Sequence, residues 1–177
     1  MSVEQPPDSQ PNRSLEPKSG TLVGRLEWIG LRPIRKEPVQ VVTHAEVMVG
    51  RGLVGDHYTY RRGAVREITL LQWEDLAAVA RKLARSEPID PGLLRRNLAI
   101  SGLGVAVAAP GWLAIGAVLL ELTGPCNPCQ RMDEALGEGG RRAMAGKGGL
   151  TARVLRGGQL RVGDAVALLT ANPLLDS

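Results

Sequence analysis

Phenylalanine is absent from this 177-residue chain, and aromatic residues make up only 3% of it. Proteins that hold unpaired bases stack them on aromatic side chains, so the composition argues against a nucleic-acid partner. Cysteine is scarce as well. The two present, Cys126 and Cys129, are too few for a disulfide framework, and both are expected to be reduced thiols in a cytoplasmic protein. No apolar run approaches the roughly 20 residues that a membrane span needs. Residues 1–8 carry neither the basic nor the apolar stretch of a secretion signal. A membrane partner is therefore not expected either.

What remains is a chain of single-domain size with 44% hydrophobic residues, enough for a sizeable core. That core must be built from Val, Leu, Ile and Ala. The net charge of +4 is scattered except at Arg61-Arg62, Arg95-Arg96 and Arg141-Arg142. It suits an anionic small ligand such as a phosphate, and equally suits plain solubility. Residues 1–19 are rich in Pro, Ser, Gln and Glu and read as a disordered leader. A folded domain is expected over 20–171, followed by a short tail at 172–177.

Within the domain most segments are short and β-like: 21–31, 39–49, 66–71, 97–101, 117–123, 150–155 and 165–170, with glycines between them. Many short strands with glycine turns imply a mainly β barrel or sandwich. The pattern predicts one longer helix over 72–85, with Trp73, Leu76, Ala77, Ala80, Leu83 and Ala84 on one face. Thr69 and Gln72 have capping-box spacing, though Thr69 equally fits the end of the preceding strand. A helical turn over 91–95 capped by Asp90, a brief helix after Cys129 that stops at Gly137, and a further turn over 140–145 complete the reading. Two stretches, 111–116 and 158–163, share Gly-x-Leu-x-(Ile/Val)-Gly and look like turns that feed strands.

The chemistry centres on Gly124-Pro125-Cys126-Asn127-Pro128-Cys129-Gln130-Arg131-Met132. Asn127 suits an N-cap and Pro128 the first helical position, which places Cys129 in the first turn. There the helix end favours the thiolate, the form that attacks electrophiles and binds soft metals. The competing reading is a packed core thiol, since Met132 and Leu136 share its helical face. The Cys-Asn-Pro-Cys string is also similar to the dithiol of thioredoxin-like oxidoreductases. It comes late in a β-rich chain, however, and precedes a short helix. Zinc held by Cys126 and Cys129 with His44 or His57 matches no finger spacing.

Other candidates carry bland alternatives. Residues 50–57 are glycine-dense but lack the Gly-Lys-Ser/Thr ending of a nucleotide loop, and fit a tight turn between strands. Asp56 and His57 at its end suit acid–base chemistry or simple bonds to the turn. Arg95 and Asn97 suit a phosphate and a heterocycle edge, or else a solvated basic corner. Residues 146–149, with Lys147, could hold an anion or form a surface loop.

Taken in order, several of these pieces resemble the MOSC domain family, over about residues 21–169. They are Gly52-Leu53-Val54-Gly55-Asp56, Arg66-Glu67-Ile68-Thr69-Leu70-Leu71 ahead of a helix, Arg95-x-Asn97 with Ile100-Ser101-Gly102, Ile115-Gly116, Pro125-Cys126-Asn127-Pro128-Cys129, and the last glycine motif running to Asp164. The resemblance implies a strongly bent mixed β-barrel. It implies molybdenum-cofactor (molybdopterin) binding, with Cys129 as the metal ligand. Arg95, Asn97 and Asn127, with Arg131, form the implied cofactor-binding set, and Cys126 stands beside Cys129 as the second catalytic candidate. The implied activity is reduction of an N-hydroxylated small molecule, with electrons from a redox partner protein. The alternatives are a carrier that takes sulfur from a donor as a Cys129 persulfide, and a dithiol oxidoreductase using Cys126 and Cys129. No stretch matches the extra N-terminal β-domain of the amidoxime reducers or the pyridoxal-dependent portion of the sulfurases.

Overall fold

A computed structural model describes residues 23–57, 64–102, 104 and 111–174. The expected leader at 1–19, the Arg61-Arg62 pair and the last three residues of the tail lie outside them. The elements, in chain order, begin with strands β1 (Val23–Leu31), β2 (Gln40–Val42), β3 (His44–Met48), β4 (Gly52–Leu53) and β5 (Ile68–Gln72). Helix α1 (Trp73–Lys82) and a 3-10 turn (Pro91–Leu94) lead to β6 (Leu98–Ser101), β7 (Gly111–Ile115) and β8 (Val118–Pro125). Helices α2 (Arg131–Leu136) and α3 (Gly140–Ala143) precede β9 (Leu150–Arg156), β10 (Gly158–Arg161) and β11 (Ala165–Leu169).

Seven strands close into a mixed barrel in the order β11-β7-β8-β9-β5-β6-β1, with β1 returning to β11. Only β5 and β6 run parallel, and α1 with the 3-10 turn makes the crossover between them. Every other pairing in the barrel is antiparallel. β1 is long enough to serve three neighbours in turn: β11 at residues 23–25, β6 at 25–29, and β2 at 29–31. Its pairing with β6 carries a register shift between Leu26 and Trp28, an irregularity of the kind that bends a strand. β10, β3 and β4 form a small second sheet.

Two cores result. Alternate residues from β1, β5, β6, β7, β8 and β9, among them Leu26, Ile68, Leu98, Leu113, Leu120 and Val154, fill the barrel. The opposite faces of β5 and β6 supply Leu71 and Ala99 to a second cluster with Leu76 and Val79 of α1, Leu94, Met132 and Leu136 of α2, and Met144. This second cluster fixes the α2 segment, and with it the two cysteines, on the outside of the barrel. Among the described residues no helix is long and apolar enough to cross a membrane.

The helices depart from expectation in three ways. Trp73 opens α1 and is exposed, while Val79 takes a buried place on the face that meets the sheet. Thr69 forms no capping box, because it sits in β5 and its hydroxyl donates to Asn97. Glu74 and Asp75 in the first turn and Arg81 and Lys82 in the last complement the helix dipole instead. Third, α2 starts at Arg131 with Gln130 as its N-cap, not at Pro128 with Asn127. The Cys126 N–H is committed to the Gly149 carbonyl at 2.8 Å, which keeps the chain extended past Pro125. The two glycine echoes are themselves strands, β7 and β10, and each turn falls on the closing glycine, Gly116 or Gly163, at positive φ.

The loop before β9 lies tightly under the cysteine segment. A Cβ on Gly148 would come within 2.1 Å of the Cys126 carbonyl oxygen, and one on Gly149 within 1.9 Å of the Leu70 carbonyl oxygen. Gly149 also has φ +88°, a region that side chains resist. Gly149→Ala is expected to lower stability by well over about 1 kcal/mol, read as a lower urea midpoint at unchanged slope.

Candidate functional site: a basic cavity around an exposed thiol

Five separated segments of the chain converge on one cavity of about 150 Å³. Arg32 and Arg35 reach it from the loop after β1, His57 from the turn after β4, and Arg66 from the approach to β5. Leu94, Arg95 and Arg96 come from the 3-10 turn, and Cys129, Arg131 and Met132 from the start of α2. No carboxylate is among these lining residues. Six guanidiniums around so small a space make a strong anion site.

The walls are held by a buried polar network. Asn97, 1% exposed, accepts through Oδ1 from the Thr69 N–H at 3.1 Å, the Thr69 hydroxyl at 3.0 Å and Arg32 Nη2 at 3.0 Å. Its Nδ2 donates to Asp56 Oδ2 at 2.9 Å and the Gly30 carbonyl at 3.3 Å. Asp56 accepts from Arg32 through both oxygens, from Nε at 2.9 Å and Nη2 at 3.0 Å. Arg32 Nη1 then donates to the Arg95 carbonyl at 3.2 Å. Among the described residues Arg32 is the only one of the six arginines in an ion pair with a carboxylate.

Arg95 caps the 3-10 turn in the left-handed region, at φ +53°. That reversal sends Arg95 toward the cavity and buries Arg96. The Arg95 guanidinium donates to the Glu37 carbonyl, and its pKa is lowered from the ordinary value, chiefly by burial and then by Arg32 and Arg131. Arg96 is 7% exposed and donates to the Gly148 carbonyl at 2.8 Å and the Leu94 carbonyl at 2.7 Å. Its pKa is lowered too, chiefly by burial, with Arg66 and Arg32 adding to that and the two cysteines opposing it. Both side chains remain cations at neutral pH.

The two thiols differ sharply. Cys129 is exposed, whereas Cys126 is 2% exposed and accepts from Arg66 Nη2 at Sγ, at 3.1 Å. Cys129 precedes the N-cap of a six-residue helix and offers only its carbonyl, to the Met132 N–H at 2.9 Å. The positive surroundings expected from a helix end are therefore supplied by side chains. Met132 and Leu136 do pack into a core, as anticipated, but Cys129 does not follow them.

Of the expected site residues, Cys129, Arg95 and Arg131 share the cavity. Asn97 does not line it. The hydrogen-bonding groups of its side chain are spent on the network behind, so it braces the site. Asn127 faces a different, shallow cleft with Asp133, Glu138, Arg141 and Arg142. Lys147 is paired with Asp75, which removes it as a ready anion holder. Residues 50–57 are only in part the expected turn between strands: the β3–β4 turn ends before Gly52, and Gly52 and Leu53 are themselves β4, paired antiparallel with β3. No group of three or more His, Cys, Asp or Glu side chains that could hold a metal occurs among the described residues. The cavity arginines outside the expected site set are Arg32, Arg35, Arg66 and Arg96. Nothing in the sequence links Arg32 to Asp56, 24 residues on.

The MOSC domain model matches residues 57–167. The chain belongs to the MOSC family. No curated protein matches it in sequence. Among solved structures the MOSC barrel resembles the YuaD protein of Bacillus subtilis, with a TM-score of 0.75 at 17% identity, over 86% of this chain and 98% of that one. It also resembles YiiM of Escherichia coli, with a TM-score of 0.64 at 19% identity, covering 84% and 71%. YiiM of Geobacillus stearothermophilus gives 0.60 at 18% identity, covering 84% and 74%. At these identities the likeness establishes the fold.

Asn97→Ala leaves the Thr69 N–H, Arg32 and Asp56 each short of a buried partner. It is expected to reduce stability by on the order of 3 kcal/mol, measurable in urea unfolding. A direct ligand contact alone would leave stability unchanged.

Proposed function

We propose that this MOSC protein binds a molybdenum cofactor of the molybdopterin type, with Cys129 as the metal ligand, and reduces N-hydroxylated small molecules with electrons from a partner protein. The observation that carries this reading is an exposed thiol sharing one small cavity with six arginines. The donor set fits the group. No cluster of protein ligands is on hand to cage a bare ion, but a metal that arrives with its own chelating sulfurs needs only one soft thiolate from the chain. The cofactor's phosphate needs cations, and the cavity is lined with them.

The chain's own residues divide the work. Arg95 and Arg131 line the same cavity as the thiol and would hold the phosphate by charge-assisted hydrogen bonds. Arg96 clamps the Gly148 and Leu94 carbonyls and so fixes the floor beneath the cysteine segment. Arg66 engages the Cys126 sulfur, which steadies the segment that leads from the end of β8 to Cys129. Asn97, Asp56 and Arg32 brace the opposite wall. When bound, the cofactor supplies the two-electron redox centre at which an N–O bond is cut.

The exposure of Cys129 also favours a second reading, a carrier that accepts sulfur as a Cys129 persulfide by thiol exchange. Metal analysis of protein from a host that makes the cofactor separates the two. Stoichiometric molybdenum, lost in Cys129→Ala and kept in Cys126→Ala, is the expected result. Metal-free protein that gains a persulfide mass at Cys129 from a desulfurase would establish the carrier instead. Arg95→Met and Arg131→Met are each expected to weaken cofactor retention by about 10- to 100-fold, the worth of one hydrogen bond to a charged group.

A further inference from the structure

Reduction of an N-hydroxylated compound consumes two electrons and two protons, R–NHOH + 2e⁻ + 2H⁺ → R–NH₂ + H₂O. Among the described residues that line it, the cavity is poor in groups that can deliver a proton. Its six arginines are permanently charged and do not exchange protons near neutral pH. Leu94 and Met132 are inert. Among the described lining residues only Cys129 and His57 remain, and Cys129 is assigned to the metal in the reading above, on which this inference rests.

The geometry fixes how His57 is used. Its Nδ1 lies 2.6 Å from the Arg32 carbonyl oxygen. A carbonyl only accepts, so Nδ1 carries the hydrogen and, in the neutral ring, Nε2 carries the lone pair. The His57 backbone N–H donates to the same Arg32 carbonyl at 2.8 Å, which pins the residue at two points. Asp56 Oδ1 stands 3.6 Å behind Nδ1. Nε2 has no hydrogen-bond partner among the described residues and is the open nitrogen of a ring that lines the cavity.

We propose that His57 is the general acid of this cavity: its Nε2 gives a proton to the oxygen that leaves as the N–O bond breaks. The partner protein supplies both electrons. The departing hydroxyl takes its proton from Nε2–H⁺ and leaves as water, the nitrogen takes the second proton from solvent, and His57 is reprotonated from solvent. The carbonyl of Arg32 holds the ring in place, so the device depends on the same braced wall that carries Arg95.

The test has two arms. The chain has only two histidines, so diethyl pyrocarbonate labelling read by peptide mass is unambiguous. In protein free of metal, His57 is expected to be labelled, and inorganic phosphate filling the arginine cavity is expected to slow His57 while leaving His44 unaffected. A His57 that resists the reagent, or is labelled equally fast with phosphate, overturns the proposal. In molybdenum-loaded protein, His57→Asn retains a donor for the Arg32 carbonyl but lacks Nε2. Its kcat for N–O reduction is expected to fall by about 10²-fold or more with KM held, and added imidazole is expected to restore part of the rate in His57→Gly. An unchanged kcat in His57→Asn, or no imidazole rescue, overturns the assignment. Phosphate-sensitive labelling in a wild-type protein that holds molybdenum yet reduces no N-hydroxylated compound would reject the reductase reading, and the acid role with it, while leaving the cavity geometry intact.

Discussion

One buried amide organises this molecule. Asn97 reaches, through five hydrogen bonds, three parts of the chain that have no local reason to meet: the end of β1 with the loop beyond it, the middle of β5, and Asp56 after the β4 turn. Each of those groups is buried or half-buried and would be left short of a partner without it. Because Asp56 in turn grips Arg32, and Arg32 supports the Arg95 carbonyl, the amide sets the position of one whole wall of the cavity. The same Arg32 presents its carbonyl to His57. Structure and chemistry thus share a single brace.

The opposite wall depends on packing. Met132 and Leu136 are drawn into the outer core with Leu76, Val79 and Leu94. This anchors α2 and leaves Cys129 free at its approach. Cys126, three residues earlier, is pulled inward by the strand pairing that ends at Pro125 and by the Gly149 carbonyl. A short spacing between two thiols therefore yields opposite environments. One is buried and held by Arg66; the other opens on a space ringed with positive charge.

Much of the fold was legible. The short apolar segments with glycine breaks marked β1, β5, β6, β8, β9 and β11, because alternation and turn residues are local signals. β4, β7 and β10 were not read as strands. β4 has two residues, and β7 and β10 lie inside glycine motifs that look like turns. The start of α2 was misplaced because cap preference at Asn127 is worth less than the long-range bond that ties Cys126 to Gly149. In the site, Arg95, Arg131 and Cys129 were legible as chemistry-bearing residues. Asn97 was singled out for its chemistry, although its groups turn inward, and Asn127 looks into another cleft.

The sequence alone determined the types of most elements, the ordered motifs that mark the MOSC family, and the placing of both cysteines where a strand hands over to a short helix. All of these follow from residue type and near-neighbour spacing. Only the tertiary structure decided which arginines face that cysteine, that Asn97 is a brace, and that His57 offers Nε2. Those facts arise from barrel closure, which brings residues 32, 57, 66, 95 and 129 to one place. The pairings responsible span dozens of residues and leave no periodic trace along the chain.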